Sequence, residues 1–420
     1  MPSRIHPFLN RFLNRIELYT GTNMAYLIQS GFWMNLSTVI TSLLAFGIYV
    51  LAANLVSKEV YGTYQYLLSL GAIAVAFTLT GMNGALARAV AQGQESTARA
   101  SIRIQLTWAL VPLTGSLLVG TYYLIQGNST LGVGCIAIAL STPIITTFNS
   151  YGAILLGRGN FRSGFFYGLL VSIPTYAAIA LTMVFIPGAL TLLVVNLCTT
   201  AITTAIAYVH LVRTRPLKGS IDTGTLLYGK HLSLMSVPGT IAAQIDALLV
   251  FHVLGPAQVA LYAFSTAIPD RFGSLLKFIP TAALPRFTKR SREELQATLG
   301  RKLFQLGVVS LLAAGAYAVL APYIFTFFFA PYHDAIPYSQ LYSLVIVAIV
   351  GNVATSALTA HQSIGDLYRL NIILPVIQII FLVVGIFTFG LWGLILGKVA
   401  YSLVAAVLPI VLFLQNRRYI

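Results

Sequence analysis

The sequence predicts an all-α polytopic membrane protein, about twelve transmembrane helices in two six-helix bundles. Composition, the recurrence of span-length apolar runs and the sidedness of the basic residues predict it. At 57% hydrophobic and 8% charged, with a mean hydropathy of +0.84, the chain lacks the polar surface that a soluble domain of 420 residues needs. Apolar runs of about 20 residues, the length that crosses a bilayer core as helix, fall at 32–56, 62–86, 105–126, 131–156, 164–186, 189–212, 232–254, 257–283, 303–329, 338–361, 370–389 and 391–414. Lys and Arg near span ends are retained on the cytoplasmic side. With the amino terminus inside, 21 of the 25 basic residues fall on the inner face, Lys58 alone on the outer face, and Arg271, Lys277 and Lys398 within spans. An even span count and two cytoplasmic termini agree with that distribution. The net charge of +15 therefore reads as topology and inner-leaflet attraction, not as a nucleic-acid footprint.

Taken in order, residues 1–31 read as a cytoplasmic interfacial helix. Phe8, Leu9, Phe12, Leu13, Ile16 and Tyr19 share a helical face, with Arg11, Asn14 and Arg15 elsewhere. A solvated basic leader is the alternative; a cleaved signal peptide is not expected, because the first apolar run starts late and is as long as a full span. Residues 32–212 form a first six-helix bundle, 213–231 a cytoplasmic linker, 232–414 a second six-helix bundle, and 415–420 a cytoplasmic tail. Cys135 and Cys198 both fall in predicted spans and read as small core residues, not as a disulfide or metal pair.

The two bundles read as a duplication. From Phe251 the chain echoes the Leu51–Ala91 stretch 198 residues earlier: Gly255-Pro256 stands opposite Ser57-Lys58, Tyr262 opposite Tyr64, and Leu284-Pro285-Arg286 opposite Leu86-Ala87-Arg88. Gly365-Asp366-Leu367 echoes Gly159-Asn160-Phe161 at an offset of 206. An even number of spans per half gives both halves the same orientation, hence a pseudo-twofold axis along the membrane normal. Pro143, Pro174, Pro238, Pro269, Pro280, Pro375 and Pro409 lie in or near spans, where bends open cavities or let halves rock.

The outer connections are too short to hold a catalytic domain, and only Tyr332-His333-Asp334 brings an acid and a base together; a solvated turn is the expected reading. Gly157-Arg158-Gly159-Asn160 lacks the Lys-Ser/Thr ending of a phosphate loop, so no ATP hydrolysis is expected. No metal or cofactor is expected either. Charges within spans are costly unless paired or hydrated, so they face a bundle interior or a watery cavity. None falls within the first six spans; the later ones contain Asp246, Asp270, Arg271, Lys277 and Lys398. Asp270, Ser274 and Lys277 share a helical face, and Asp246 on the preceding span is placed to neutralise Arg271 or Lys277. These charges form either an internal ion-pair cluster or a cationic path for an anionic headgroup. Tyr61, Tyr64, Gln65 and Tyr66 at the outer end of the second span read as an aromatic belt, with stacking on sugars as the alternative.

The run ANLVSKEVYGTYQYLLSL resembles the second-helix region of polysaccharide biosynthesis flippases, the Wzx-like branch of the multidrug/oligosaccharidyl-lipid/polysaccharide exporter superfamily. QIDALLVFHVLGPAQVALYAFSTAI is similar to that family's seventh and eighth helices, and FFAPYHDAIPYSQLYSLVIVAIVGNVATSALTAHQSIGDLYRL to its ninth-to-tenth connection and tenth helix. Ala257-Gln258 and Ala260 depart from the usual acidic residue and Gly at the second-repeat turn. The resemblance implies export of a polyprenyl-pyrophosphate-linked oligosaccharide across a bacterial cytoplasmic (inner) membrane, with a polysaccharide polymerase and chain-length proteins as partners. It implies that Arg88 and Arg286 sit where the halves open to the cytoplasm and meet the pyrophosphate. Arg271 and Lys277 are the candidates for holding the headgroup midway, with Asp246 and Asp270 as counter-charges or ion-coupling groups. Two alternatives stay open: a cation-coupled multidrug or metabolite antiporter of the same superfamily, and a membrane polymerase or ligase.

Overall fold

A computed structural model describes residues 24–276, 292–360 and 364–415. All regular structure among these residues is helical. We number the helices by span: α1 (Met24–Leu55), α2a (Lys58–Ala76), α2b (Gly81–Ala91), α3a (Thr97–Trp108), α3b (Leu110–Ile125), α4a (Ser129–Phe148), α4b (Ser150–Gly157), α5 (Phe161–Phe185), α6 (Ala189–Thr214), α7 (Thr223–Leu254), α8 (Pro256–Leu276) and α9 (Arg292–Phe328). The tenth span, α10, is irregular: 3₁₀ turns at Ala330–Ala335 and Ser343–Ala348 flank a short helix at Ile336–Tyr342, and Ile349–Ala360 completes it. Ile364–Gln415 is interrupted at Phe389 and Gly390, where the backbone leaves the helical region; we call its two limbs α11 and α12. With that interruption counted, the described helices follow the twelve predicted spans.

Sequence capping accounts for several ends. Ser57 caps α2a by accepting from the Val60 amide at 3.3 Å, Asn128 caps α4a through Leu131, Asn160 caps α5 through Ser163, and Asp222 caps α7 through Thr225. Each side chain satisfies one of the amide donors that a helix start leaves unpaired. Gly255 ends α7 at φ +89°, a left-handed conformation that glycine adopts without a Cβ penalty. α7 begins at Thr223, inside the stretch 213–231 read as linker.

The second span is a correction. It reads as one helix over 62–86, but the chain breaks at Phe77–Thr80 and bends by 52°. Neither Pro nor Gly lies in the break; Leu79 adopts φ +53° with its side chain buried beside Met82 and Leu226. A non-glycine residue in that region is strained by about 1 kcal/mol or more, and core packing holds it.

The two bundles meet through the repeat itself. α2a lies directly against α8, and a Cβ on Gly62 would fall 1.8 Å from the Pro256 carbonyl oxygen, so only glycine permits this approach. Around it the neighbouring helix ends interlock. Tyr66 stacks on Phe251 at 3.9 Å and Tyr61 packs on Phe264 at 5.1 Å. Asn54 donates to the Phe328 carbonyl at 3.1 Å, and Lys58 pairs with Asp334 at 3.5 Å. Equivalent helices facing each other is what a pseudo-twofold axis along the membrane normal requires. In the second limb of that span, α7 rests on α2b, where Gly81 approaches Ser233 and Gly229 approaches Met82.

The linker is tied to the first bundle. Arg158, at the end of α4b, donates from Nε and Nη2 to the two oxygens of Glu95 at 2.7 and 2.8 Å, and from Nη2 to the Arg215 carbonyl at 3.2 Å. The Lys218 amide also donates to Glu95, at 3.2 Å. The fork of Arg158 and this amide hold the Glu95 carboxyl below the usual glutamate range.

Candidate functional site

Between α1, α2a, α5 and α6 lies a cavity of about 360 Å³. Its polar wall is built from hydroxyls and amides: Tyr49 on α1, Tyr61, Tyr64 and Gln65 on α2a, Ser172, Thr175 and Tyr176 on α5, and Asn196 and Thr200 on α6. Internal bonds orient them. Gln65 Nε2 donates to the Tyr61 hydroxyl at 2.6 Å, Asn196 Nδ2 to the Tyr64 hydroxyl at 2.9 Å, and Thr200 to Asn196 Oδ1 at 3.4 Å. Tyr61 and Tyr64 are 2% and 5% exposed, so they are not an aromatic belt, whose rings would face lipid headgroups. This corrects the belt reading and leaves the sugar-facing alternative standing for Tyr61, Tyr64 and Gln65. Tyr66 belongs elsewhere: it is buried against Phe251 and hydrogen-bonds His252 Nε2 at 3.0 Å across the bundle interface.

Among the described residues one charged side chain reaches the cavity lining, and it comes from the other bundle. Arg271 on α8 closes the wall. The expected neutralisation of Arg271 by Asp246 does not occur. Asp246 Oδ2 is in contact with the Lys398 ammonium of α12 and accepts from the Tyr262 hydroxyl at 2.6 Å, while Asp246 Oδ1 accepts from the Ala247 amide at 2.8 Å. The physical reason is reach and burial: both charges lie inside the second bundle, their side chains 16% and 7% exposed for Lys398 and Asp246, and a buried ion survives only with a close counter-charge. Asp270, next in chain to Arg271, accepts from the Tyr342 hydroxyl at 2.9 Å. Arg271 thus faces the cavity with no carboxylate among the described residues paired to it. It is this guanidinium, beside uncharged hydrogen-bonding groups and aromatic faces, that can take an oxyanion; guanidinium matches phosphate geometry with paired donors.

Of the remaining candidates, Arg88 lies exposed in the last turn of α2b and does not line the cavity. Lys277 and Arg286 lie outside the described residues. The structure therefore brings Arg271 to the cavity, places Asp246 and Asp270 in hydrogen-bonded networks of the second bundle, and keeps Arg88 apart. Sequence reasoning missed Asn196, Thr200, Tyr49 and Tyr176, ordinary polar residues of apolar spans. It also missed Lys398 as the partner of Asp246. Cys135 is buried and Cys198 exposed, and neither forms a disulfide.

The polysaccharide biosynthesis protein family model matches residues 27–289. No curated protein matches the chain in sequence. Among solved structures, the chain is similar to an inward-facing multidrug resistance MATE family transporter of the MOP superfamily, at 16% identity over 90% of this chain and 96% of that one, TM-score 0.70. An outward-facing transporter of the same description aligns at 17% identity over 91% and 92%, TM-score 0.61. A MATE transporter described in complex with Rb⁺ aligns at 15% identity over 92% and 94%, TM-score 0.55. At these identities the likeness establishes the fold: two six-helix bundles of the MOP type.

Proposed function

This chain belongs to the polysaccharide biosynthesis protein family, and from that premise we propose that it is a transporter moving a polyprenyl-pyrophosphate-linked oligosaccharide across a bacterial cytoplasmic membrane for surface polysaccharide synthesis. The observation that carries the reading is Arg271, a guanidinium with no carboxylate among the described residues paired to it, contributed by α8 to the wall of a Tyr- and amide-lined cavity of the first bundle. The diphosphate meets Arg271, and Lys277 and Arg286 are proposed as further phosphate partners from their place in the sequence. The sugars lie against Tyr49, Tyr61, Tyr64, Gln65 and Asn196, whose hydroxyls and amides can exchange hydrogen bonds with them and whose rings can stack. Rocking about the Gly62–Pro256 contact, which now closes the outer side, exposes the cavity alternately to each face. The better match to an inward-facing relative supports this assignment of the state. A polymerase and chain-length proteins then receive the product on the outer face.

The antiporter reading needs a carboxylate free to exchange a cation or proton. Asp246 already holds an ammonium, which weighs against its being that group.

The test is Arg271→Gln. Lipid-linked oligosaccharides extracted from cells carrying the variant, at normal protein level, are expected to accumulate as a complete repeat unit, with surface polymer reduced at least tenfold. Arg271→Lys, which keeps charge but loses the fork, is expected to be intermediate. Unchanged surface polymer in the Gln variant would refute the role of Arg271.

A further inference from the structure

On the inner face, away from the cavity, a second pocket of about 480 Å³ lies between α3a and the linker, lined by Ser96, Arg99, Ala100, Arg103 and the segment Gly219, Ser220, Ile221. Arg99 and Arg103 are four residues apart on one helical face and both are exposed. Among the described residues no carboxylate pairs with either. The two acids nearest in chain are engaged: Glu95 takes Arg158 and the Lys218 amide, and Asp222 takes the Thr225 amide and hydroxyl, at 3.2 and 2.6 Å. The pocket therefore keeps two unneutralised guanidinium groups.

Its far wall is fixed, not a loose loop. The Ser96 amide donates to the Lys218 carbonyl at 3.2 Å and the Asp222 amide to Thr97 Oγ1 at 2.9 Å. Gly219 adopts φ +86° against the Gly93 carbonyl, where a Cβ would fall at 2.1 Å.

The helix below distinguishes the kind of anion. α3a runs into α3b through Ala109, itself in helical conformation. Arg99, Arg103, Leu106 and Leu110 follow one another at spacings of four, three and four, so they form a single stripe. Leu106 and Leu110 are 46% and 60% exposed. A cationic pocket at the head of an exposed apolar stripe has the two-part chemistry of an amphiphile: phosphate above, acyl chain below.

We propose that this pocket binds an anionic glycerophospholipid of the inner leaflet, its phosphate held by Arg99 and Arg103 against the linker backbone and its acyl chain laid on Leu106 and Leu110. The bound lipid bridges the first bundle and the linker that leads into the second. Ordinary retention of basic residues on the inner face places single arginines near span ends; it does not require two on one face over a built pocket.

The test uses the full chain purified in detergent, with binding read by native mass spectrometry and by thermal shift. Phosphatidylglycerol is expected to bind and raise the melting temperature, phosphatidylcholine to do so at least tenfold more weakly, and inorganic phosphate at millimolar concentration to give no shift. The double variant Arg99→Gln/Arg103→Gln is expected to lose at least tenfold in phosphatidylglycerol affinity while eluting as the wild type does on size exclusion. The pair Arg213→Gln/Lys230→Gln removes the same net charge elsewhere on the inner face and is expected to leave affinity unchanged. Equal losses in the two double variants, or unchanged affinity in the first, would overturn the site. A phosphate shift matching that of the lipid would overturn the assignment to an amphiphile. Because Arg271 takes no part, Arg271→Gln is expected to bind the phospholipid as the wild type does.

Discussion

Ile48, Tyr64 and Asn196 in the first bundle occupy the places that Asp246, Tyr262 and Lys398 occupy in the second, at offsets of 198, 198 and 202 residues. The two tyrosines do the same thing, each turning its hydroxyl toward the last helix of its own bundle: Tyr64 to Asn196 at 2.9 Å, Tyr262 to Lys398 at 3.2 Å. What differs is the pair around them. In the second bundle a carboxylate and an ammonium meet beside the tyrosine. In the first an isoleucine and an amide stand there, and both line the cavity. The three positions thus differ between the halves in what they hold, an ion pair buried in the second bundle and neutral groups that line a pocket in the first. The lesson is that two bundles of similar fold can differ in whether they hold a cavity where one has a salt bridge and the other neutral groups.

The comparison breaks most severely if the plug can be moved. Ile48→Asp/Asn196→Lys installs the ion pair in the first bundle. Export, followed as surface polymer, is expected to be lost at near-normal protein abundance, because the pair fills the cavity that the cargo needs. Wild-type export from this variant would remove the cavity from the transport path.

Next in size is the loss of one charge from the plug. Lys398→Met or Asp246→Asn leaves the other partner buried and uncompensated, expected to cost about 3–5 kcal/mol, measured as thermal or denaturant unfolding in detergent. Asp246→Ile/Lys398→Asn, which copies the first bundle, is expected to recover most of that loss. A double variant as unstable as the singles would show that the pair contributes through something other than mutual neutralisation.

The smallest effect sharpens the contrast between a buried pair and one at the membrane surface. Glu95→Gln removes the charge that Arg158 grips, at an expected cost of about 1 kcal/mol for a pair outside the apolar spans, where water can reach the partner left behind. The Glu95 carboxyl is depressed in the folded protein. Its stabilisation is therefore fully present above the usual glutamate value of about 4.3 and disappears as pH falls through the lower folded value. The difference in melting temperature between wild type and variant should be constant near neutrality and should shrink in acid. A difference that grows on acidification would contradict the assigned sign.

Much of the architecture was legible in sequence because the bilayer imposes it: span length and the turns at Ser57, Asn160 and Gly255 depend on local chemistry alone. The repeat was legible as well, and its Gly255-Pro256 turn delivers Pro256 to Gly62. The break at Phe77–Thr80 was not, because Leu79 is buried with Met82 against Leu226, a residue 147 positions further along the chain. The partner of Asp246 was sought on the next helix along the chain, whereas Lys398 lies 152 residues away. The repeat carries Tyr64 forward to Tyr262 at its offset of 198, but neither 198 nor 206 carries Asn196 to Lys398. The cavity was the least legible part, since Tyr49, Tyr176, Asn196 and Thr200 become a site only when four helices converge.

Because Lys398 and Asp246 belong to one bundle and touch, a rigid rocking of that bundle carries both through the membrane's electric field together. A unit charge crossing that field gains or loses about 2.3 kcal/mol per 100 mV, but opposite charges in contact do so only in proportion to the small gap between them. The second bundle can therefore keep two ionic side chains at its centre without becoming a voltage sensor through them. The work that membrane potential does on the moving protein falls to charges outside the pair and to whatever charge the cargo brings.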